Sequence, residues 1–374
     1  MLQVSRAVIR GGFDYHAEIA RAYVERGAQV CSVFQRGQMP AQKKAAFPGR
    51  VICLDAARRS FHKKPAWLTL ALWKAVRGTP QDLAVCHHLT PARAVHLLLR
   101  AGLVRKAALV VHDYDYFDPA DKHGGRRNRF LVNALRYRWS LVGVSESICS
   151  NIRAQVPGLA EGRCRVIHNA IDADALQHRL LSRDEARRDL QLQPDDFVFG
   201  TVGRLVEFKA HDDLIAAFAQ TCRLMPKARL IIIGRGPLES TLRTQVAAAG
   251  LQDRVLIHGF LDDAARYMKA FDTFVLPSRH EPFGLVLLEA MVSQVPVLAS
   301  DSGAPGEILA ADAALFPTGD RAALGAQLLE TYRRTPEELE AWGLAGYQRA
   351  RECFALGGYR AAYAQLLAAE TGAI

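Results

Sequence analysis

The sequence has no run of 18 apolar residues and, at its N-terminus, no continuous apolar core of the kind that opens a signal peptide. Neither a membrane-spanning helix nor export is expected from it. Its seven cysteines, at 31, 53, 86, 149, 164, 222 and 353, are scattered, odd in number and without a C-x-x-C pair. That pattern excludes a disulfide frame and a zinc site and reads as a reduced, cytoplasmic protein. No Asp-x-Asp lies in a turn suited to a divalent ion, and no G-x-G-x-x-G follows the first strand. A metal centre and a nicotinamide dehydrogenase therefore lack their signatures. No nucleic-acid motif, internal repeat or low-complexity tract is present, which puts nucleic acid last among possible partners.

What is present is a chain of 374 residues, 50% hydrophobic and 23% charged, long enough for two domains that each bury a core. The net charge of +10 is uneven: residues 1–180 hold 28 Lys+Arg against 13 Asp+Glu, and the remainder 20 against 25. The basic first half should face something anionic, such as a phosphorylated glycan or a membrane surface. Residues 62–77 add to this by joining His62, Lys63, Lys64, Lys74 and Arg77 to Trp67, Trp73 and leucines. That combination suits a helix resting on an anionic membrane as well as a core helix with basic ends.

Short apolar strands alternate with helical stretches throughout. Gln3–Ile9, Gln29–Phe34, Arg50–Leu54, Leu83–His87, Ala107–His112 and Leu141–Val144 read as strands of the first half. Phe197–Gly203, Leu230–Gly234, Arg254–His258, Thr273–Leu276 and Val295–Ala299 read as strands of the second. Alternation of this kind predicts two parallel sheets with helices on both faces and ligands at the carboxyl ends of the strands. A helix opening at Asp212 or Asp213 should bury Ile215, Phe218, Cys222 and Met225, which recur at helical spacing. The boundary is expected near residues 172–178, giving an N-terminal domain 1–175 and a second domain 176–355.

The stretch Arg279–Met291 organises the second half. It leaves a buried strand, passes Glu281, Pro282, Phe283, Gly284 and Leu285, and enters a helix that carries Glu289. Free N–H groups at the start of such a helix favour an anion, and Glu side chains accept hydrogen bonds from sugar hydroxyls. A ligand with both phosphate and hydroxyls, such as a nucleotide sugar, matches the pair. Alone, two carboxylates eight residues apart would be ordinary surface groups at a helix start. Arg204 and Lys209 follow Gly203 on one strand-end loop, where two cations can neutralise a diphosphate. Gly11 and Gly12 form the first strand-to-helix turn, His112 ends an apolar strand, and Gly234 and Phe260 lie at two further strand ends.

Taken together and in this order, these motifs resemble those of retaining glycosyltransferases of family 4, the E-x7-E type with the GT-B fold. The resemblance runs from Gly11 to the C-terminus, with departures at His168 and Ala170, which replace a proline and a glycine, and at Ala210, which replaces a glycine. It implies two Rossmann-like domains facing an interdomain cleft, with a helix within 356–374 crossing back to the first. It also implies that Gly11, Gly12, Gly203, Arg204, Lys209, Gly234, Phe260, Glu281, Pro282, Phe283, Gly284, Leu285 and Glu289 hold the donor. His112 would touch the donor sugar, and His112, Glu281, Arg204 and Lys209 would serve catalysis.

The function so implied is transfer of a sugar, with retention, from a nucleotide-diphosphate sugar to an acceptor hydroxyl. A UDP-sugar comes first among the donors, and neither metal nor cofactor is needed. The acceptor would be a bacterial cell-surface glycan such as a lipopolysaccharide core, and the protein cytoplasmic and peripheral on the inner face of the inner membrane. A nucleotide-sugar epimerase of the same fold, and a non-catalytic nucleotide-sugar-binding protein, remain as alternative readings of the same residues.

Overall fold

A parallel strand covered by helices on both faces must be apolar along its whole length. Leu83–Cys86, Ala107–Val111 and Leu230–Ile233 meet that condition and are buried from end to end. The computed structural model of the protein describes residues 1–7, 14–36, 39–54, 65–76, 79–87, 89–112, 139–156, 158–160, 162–310 and 314–372. Gly11, Gly12 and the polar segment 114–129 lie outside these residues. The chain divides into two compact units, Met1–Asn169 with Leu356–Ile374, and Ala170–Ala355.

The first unit is built on seven strands: β1 (Leu2–Ala7), β2 (Cys31–Arg36), β3 (Arg50–Cys53), β4 (Gln81–Cys86), β5 (Val104–Val111), β6 (Trp139–Gly143) and β7 (Cys164–Val166). Their order is β3-β2-β1-β4-β5-β6-β7, and every pairing is parallel. The chain builds outward from β1 through β2 to β3, then returns to place β4 on the other side of β1. That reversal opens a crevice at the carboxyl ends of β1 and β4, where ligands of such sheets bind. The helix Leu356–Thr371 belongs to this unit and packs along Tyr15–Val24. Arg360 Nε donates to Glu18 Oε2 at 2.6 Å, and Ser140 Oγ donates to Glu370 Oε1 at 2.5 Å.

The tryptophan-bearing segment forms the helix Pro65–Val76. It buries Leu68, Leu72 and Val76 but leaves Leu70 51% and Trp73 40% exposed. The helix thus packs into the core on one side and shows apolar surface on the other.

In the second unit six parallel strands, β8 (Phe197–Val202), β9 (Ala228–Ile233), β10 (Val255–Gly259), β11 (Thr273–Leu276), β12 (Val297–Ser300) and β13 (Ala314–Phe316), take the order β10-β9-β8-β11-β12-β13. Here the reversal falls between β8 and β11. Phe199, Leu214, Phe218, Ile232, Val275 and Leu328 form part of the core between this sheet and the helices His211–Thr221 and Arg321–Tyr332. Ile215, Phe218, Cys222 and Met225 are all buried, as their spacing predicts. The helix nevertheless ends at Thr221, and Cys222–Leu224 tightens into a 3-10 turn. It begins at His211, one residue before Asp212, after Ala210 in the left-handed region, and Asp212 and Asp213 lie in its first turn.

Candidate functional site

Both loops that leave the β8–β11 reversal are tightly held. Gly203 N–H donates to Ile233 O at 3.0 Å, Leu205 N–H to Arg235 O at 3.0 Å, and Gly234 N–H to Gly259 O at 2.8 Å. A Cβ on Gly234 would lie 1.8 Å from Gly203 O, and one on Gly236 would lie 2.3 Å from Leu205 O. Only glycine permits this approach, so the pair welds the loop after β9 to the loop that carries Arg204.

Beyond Arg204 the chain makes a 3-10 turn, Glu207–Lys209, and passes through Ala210 at φ 51° and ψ 35° into the helix His211–Thr221. That left-handed backbone disfavours any side chain by roughly 1–2 kcal/mol relative to the right-handed region, which explains why the glycosyltransferase pattern has glycine there. Arg279 pins the turn from outside. Its backbone N–H donates to Phe208 O at 2.7 Å and its Nη1 to Glu207 O at 2.8 Å. Its Nη2 meets Asp213 at 2.7 Å and Asp212 at 3.0 Å, and Arg321 Nε meets the other oxygen of Asp213 at 2.6 Å. Arg279 opens the stretch singled out in the sequence, but sequence reasoning gave it no role.

The result is a direct contact between the two loops. Lys209 Nζ lies 2.5 Å from Glu281 Oε2, and Ser278 Oγ donates to the same oxygen at 3.0 Å. Glu281 is only 5% exposed. Its backbone is fixed by Glu281 N–H to Ser302 O at 3.1 Å and Ala304 N–H to Glu281 O at 3.2 Å. Arg204 is exposed, and its guanidinium stands 5.2 Å from the centre of the Phe208 ring, which Lys209 approaches to 5.8 Å. Two cations thus share one aromatic ring at the carboxyl edge of β8.

Gly284, at φ 92°, opens the helix Leu285–Val292. Leu285 takes its first position and the half-buried Glu289 lies one turn on. Burial pushes the Glu289 carboxyl up to about 7; Asp263 adds to the rise and Arg179 opposes it. Phe283 is buried and meets Phe354 edge-on at 6.0 Å, so its side chain supports the turn from the core side. Phe260 is 53% exposed at the end of β10, with the Arg235 guanidinium 4.3 Å over its ring. His211, 3% exposed, is a further residue the sequence did not single out. Burial pushes its imidazole down to about 4, with Lys209 adding and Asp212 opposing.

In the first unit His112 follows β5 and His87 follows β4. His87 Nδ1 and His112 Nε2 are 3.2 Å apart, and His87 Nε2 lies 3.1 Å from Gln3 Nε2 on β1. Tyr15 packs over both imidazoles, at 4.7 Å from His112 and 5.3 Å from His87. Burial pushes the Tyr15 phenol up to about 12, so it stays neutral.

The chain matches two family models, Glycosyltransferase Family 4 over residues 9–175 and Glycosyl transferases group 1 over residues 182–349. It belongs to the family 4 glycosyltransferases. The lipopolysaccharide core biosynthesis mannosyltransferase LpsB of Rhizobium meliloti (strain 1021) is 37% identical over 149 residues, 38% of this chain and 42% of that protein. A Campylobacter jejuni (serotype O:2) N-acetylgalactosaminyltransferase acting on a diphospho-undecaprenol-linked sugar is 30% identical over 179 residues, 46% of this chain and 45% of that protein. These matches span less than half the length of either relative. Among solved structures, Anabaena HepE in complex with UDP superposes with a TM-score of 0.80 at 20% identity, covering 98% of this chain and 99% of that one. The two parallel-sheet units therefore form the GT-B fold that the sequence implied. Among the described residues no helix of this glycosyltransferase is long and apolar enough to cross a membrane. No group of three or more His, Cys, Asp or Glu among them is arranged to hold a metal ion.

Proposed function

We propose that this glycosyltransferase moves a sugar from a nucleotide-diphosphate sugar, a UDP-sugar first among the donors, to an acceptor hydroxyl with retention and without a metal ion or cofactor. The observation that carries the reading is the Lys209–Glu281 contact between the two loops of the β8–β11 reversal. It supports donor binding because one loop offers cations to a diphosphate and the other a carboxylate to sugar hydroxyls. Arg204, Lys209 and the N–H groups at the start of Leu285–Val292 stabilise the charge that develops on the leaving diphosphate. Glu281 accepts from the donor sugar and Glu289 accepts from the ribose, and the family resemblance gives His112 a donor-sugar contact as well. Gly203, Gly234 and Gly284 let the backbone approach the donor, and Phe260 borders the base. The bond from the anomeric carbon to the diphosphate oxygen breaks while the bond to the acceptor oxygen forms on the same face. The acceptor proton passes to a diphosphate oxygen.

The acceptor in this reading is an anionic glycolipid of the bacterial envelope, such as a lipopolysaccharide core. The functions of the Rhizobium and Campylobacter relatives support it, as does the excess of Lys and Arg in residues 1–180. Leu70 and Trp73, exposed beside Lys74, suit peripheral contact with the inner face of the inner membrane.

The test is a binding and turnover screen with UDP-, GDP- and ADP-sugars, in magnesium and in chelator, with the anomeric configuration of the product read by NMR. Binding of one donor, slow release of its nucleoside diphosphate in either buffer, and retention are expected. A folded sample that binds none of them overturns the proposal. Association with anionic but not zwitterionic vesicles, weakened by salt, tests the membrane arm.

A further inference from the structure

We infer that His87 is a positioning residue for His112, and that Ser32, Gln3 and His87 together fix which ring nitrogen of His112 carries its hydrogen. The inference rests on the reading of His112 as a donor-sugar contact.

The four residues come from four neighbouring strands, β2, β1, β4 and β5, which the sheet order sets side by side. Gln3 and Ser32 are register partners, and His87 is tied down by its N–H to Val4 O at 3.1 Å. Ser32, Gln3 and His87 are each 0–1% exposed. Groups buried to that degree are held to hydrogen bonds with one another, because an unmatched pair would leave a desolvated polar atom.

The polarity of the chain follows from the orientation of the Gln3 amide, whose Oε1 accepts from Ser32 Oγ at 2.9 Å and whose Nε2 faces His87 Nε2 at 3.1 Å. An amide NH2 only donates, so His87 Nε2 must be the acceptor and carry no hydrogen. The imidazolium, which bears a hydrogen on both nitrogens, is excluded by the same contact. Neutral His87 therefore keeps its hydrogen on Nδ1 and donates it to His112 Nε2, 3.2 Å away. In a neutral ring that leaves the hydrogen of His112 on Nδ1, the opposite of the tautomer favoured by free histidine. The hydrogen bond made by one ring nitrogen sets the state of the other. Tyr15, 4.7 Å from His112, and His16, 4.4 Å from His87, pack on the rings and hold their planes. His112 is thereby held in one orientation with its hydrogen on Nδ1.

The experiment is long-range 1H–15N correlation on the full chain with histidine-selective 15N labelling, with the His112 signal assigned by its loss in His112→Gln. The wild type should show His112 as the Nδ1–H tautomer. His87→Phe should move it to Nε2–H and lower kcat about 10-fold or more, the scale on which removal of a supporting partner acts, with a smaller change in donor KM. His87→Asn, which places an amide N–H where Nδ1 stood, should restore both tautomer and kcat. An Nε2–H signal in the wild type overturns the inference, and that spectrum decides even if His87→Phe fails to fold. Loss of activity in His87→Phe with the tautomer unchanged overturns it as well, since the role is then structural. Undiminished transfer by His112→Ala instead removes the reading of His112 at the donor sugar and leaves the tautomer assignment standing.

Discussion

Lys209 and Glu281 stand 72 residues apart in the chain and 2.5 Å apart in the fold. Neither side chain is exposed enough for the contact to be an ordinary surface ion pair: Lys209 keeps 16% of its side-chain surface and Glu281 6%. A desolvated pair of this kind holds two loops in register, and it is most sensitive to loss of one partner, which leaves the other charge uncompensated. In the proposed reading, a diphosphate entering at Lys209 would supply the anion that frees Glu281 for sugar hydroxyls.

Lys209→Ala should lower kcat/KM for transfer by about 100-fold or more, as expected for loss of one preorganised group facing the leaving charge. Glu281→Gln keeps the shape and loses the charge, and a reduction of about 10-fold or more is expected. Steady-state kinetics on the donor found in the screen check both. Full activity of Glu281→Gln removes Glu281 from the donor-sugar site.

Ala210→Gly should stabilise the protein. The left-handed backbone at Ala210 disfavours its Cβ by roughly 1–2 kcal/mol. The greater freedom of glycine in the unfolded chain takes back about 0.5–1 kcal/mol of that. Loss of the fully buried Ala210 methyl takes back up to about 0.8 kcal/mol more, so a net gain of no more than about 1 kcal/mol is expected in denaturant unfolding. Ala210→Val should be destabilising, because a β-branched side chain fits that backbone worse than alanine does.

This position also shows what the sequence could reveal. Strand-helix alternation exposed both parallel sheets, since period and apolar runs are local signals. The order of motifs placed Arg204, Lys209, Glu281 and Glu289 on loops and a helix of one unit, and it marked Ala210 as a departure. Arg279 and His87 escaped because what they do depends on partners far along the chain: Arg279 bonds residues 66 to 72 positions away, and His87 bonds Gln3, 84 positions away. No local pattern distinguishes such an arginine from a solvated one, or such a histidine from an ordinary strand end.

Arg279→Ala should loosen the loop that presents Lys209. Asp213, with 8% of its side chain accessible, would keep Arg321 but lose its second cation, and the Glu207 carbonyl and the Asp212 carboxylate would each lose a donor. A stability loss of about 2 kcal/mol is expected, below the range for a fully buried pair because Arg279 is partly exposed. Donor KM should rise about 10-fold or more, since a small displacement of a positioned group is expensive. Arg321→Ala should reproduce part of the stability loss with less effect on KM. Unchanged donor KM in Arg279→Ala rejects the positioning role.

Glu289 should make both stability and donor binding depend on pH near neutrality. Burial raises its carboxyl from the ordinary 4.5 to about 7. Between those values the folded protein binds the proton more tightly than the unfolded chain, so this group's contribution is fully favourable below about 4.5 and is lost as pH rises through 7. The whole shift corresponds to about 3 kcal/mol. His211, lowered to about 4, acts in the opposite sense and loses stability as pH falls below 6.5. Only the difference between wild type and Glu289→Gln therefore isolates Glu289. That variant should match the wild type near pH 4.5 and exceed it in melting temperature at pH 8. If the Glu289 carboxylate accepts from the ribose, donor affinity should tighten in the wild type as pH passes through 7 and stay flat in Glu289→Gln. A wild-type donor Kd that is flat from pH 6 to pH 8.5 places the ribose elsewhere.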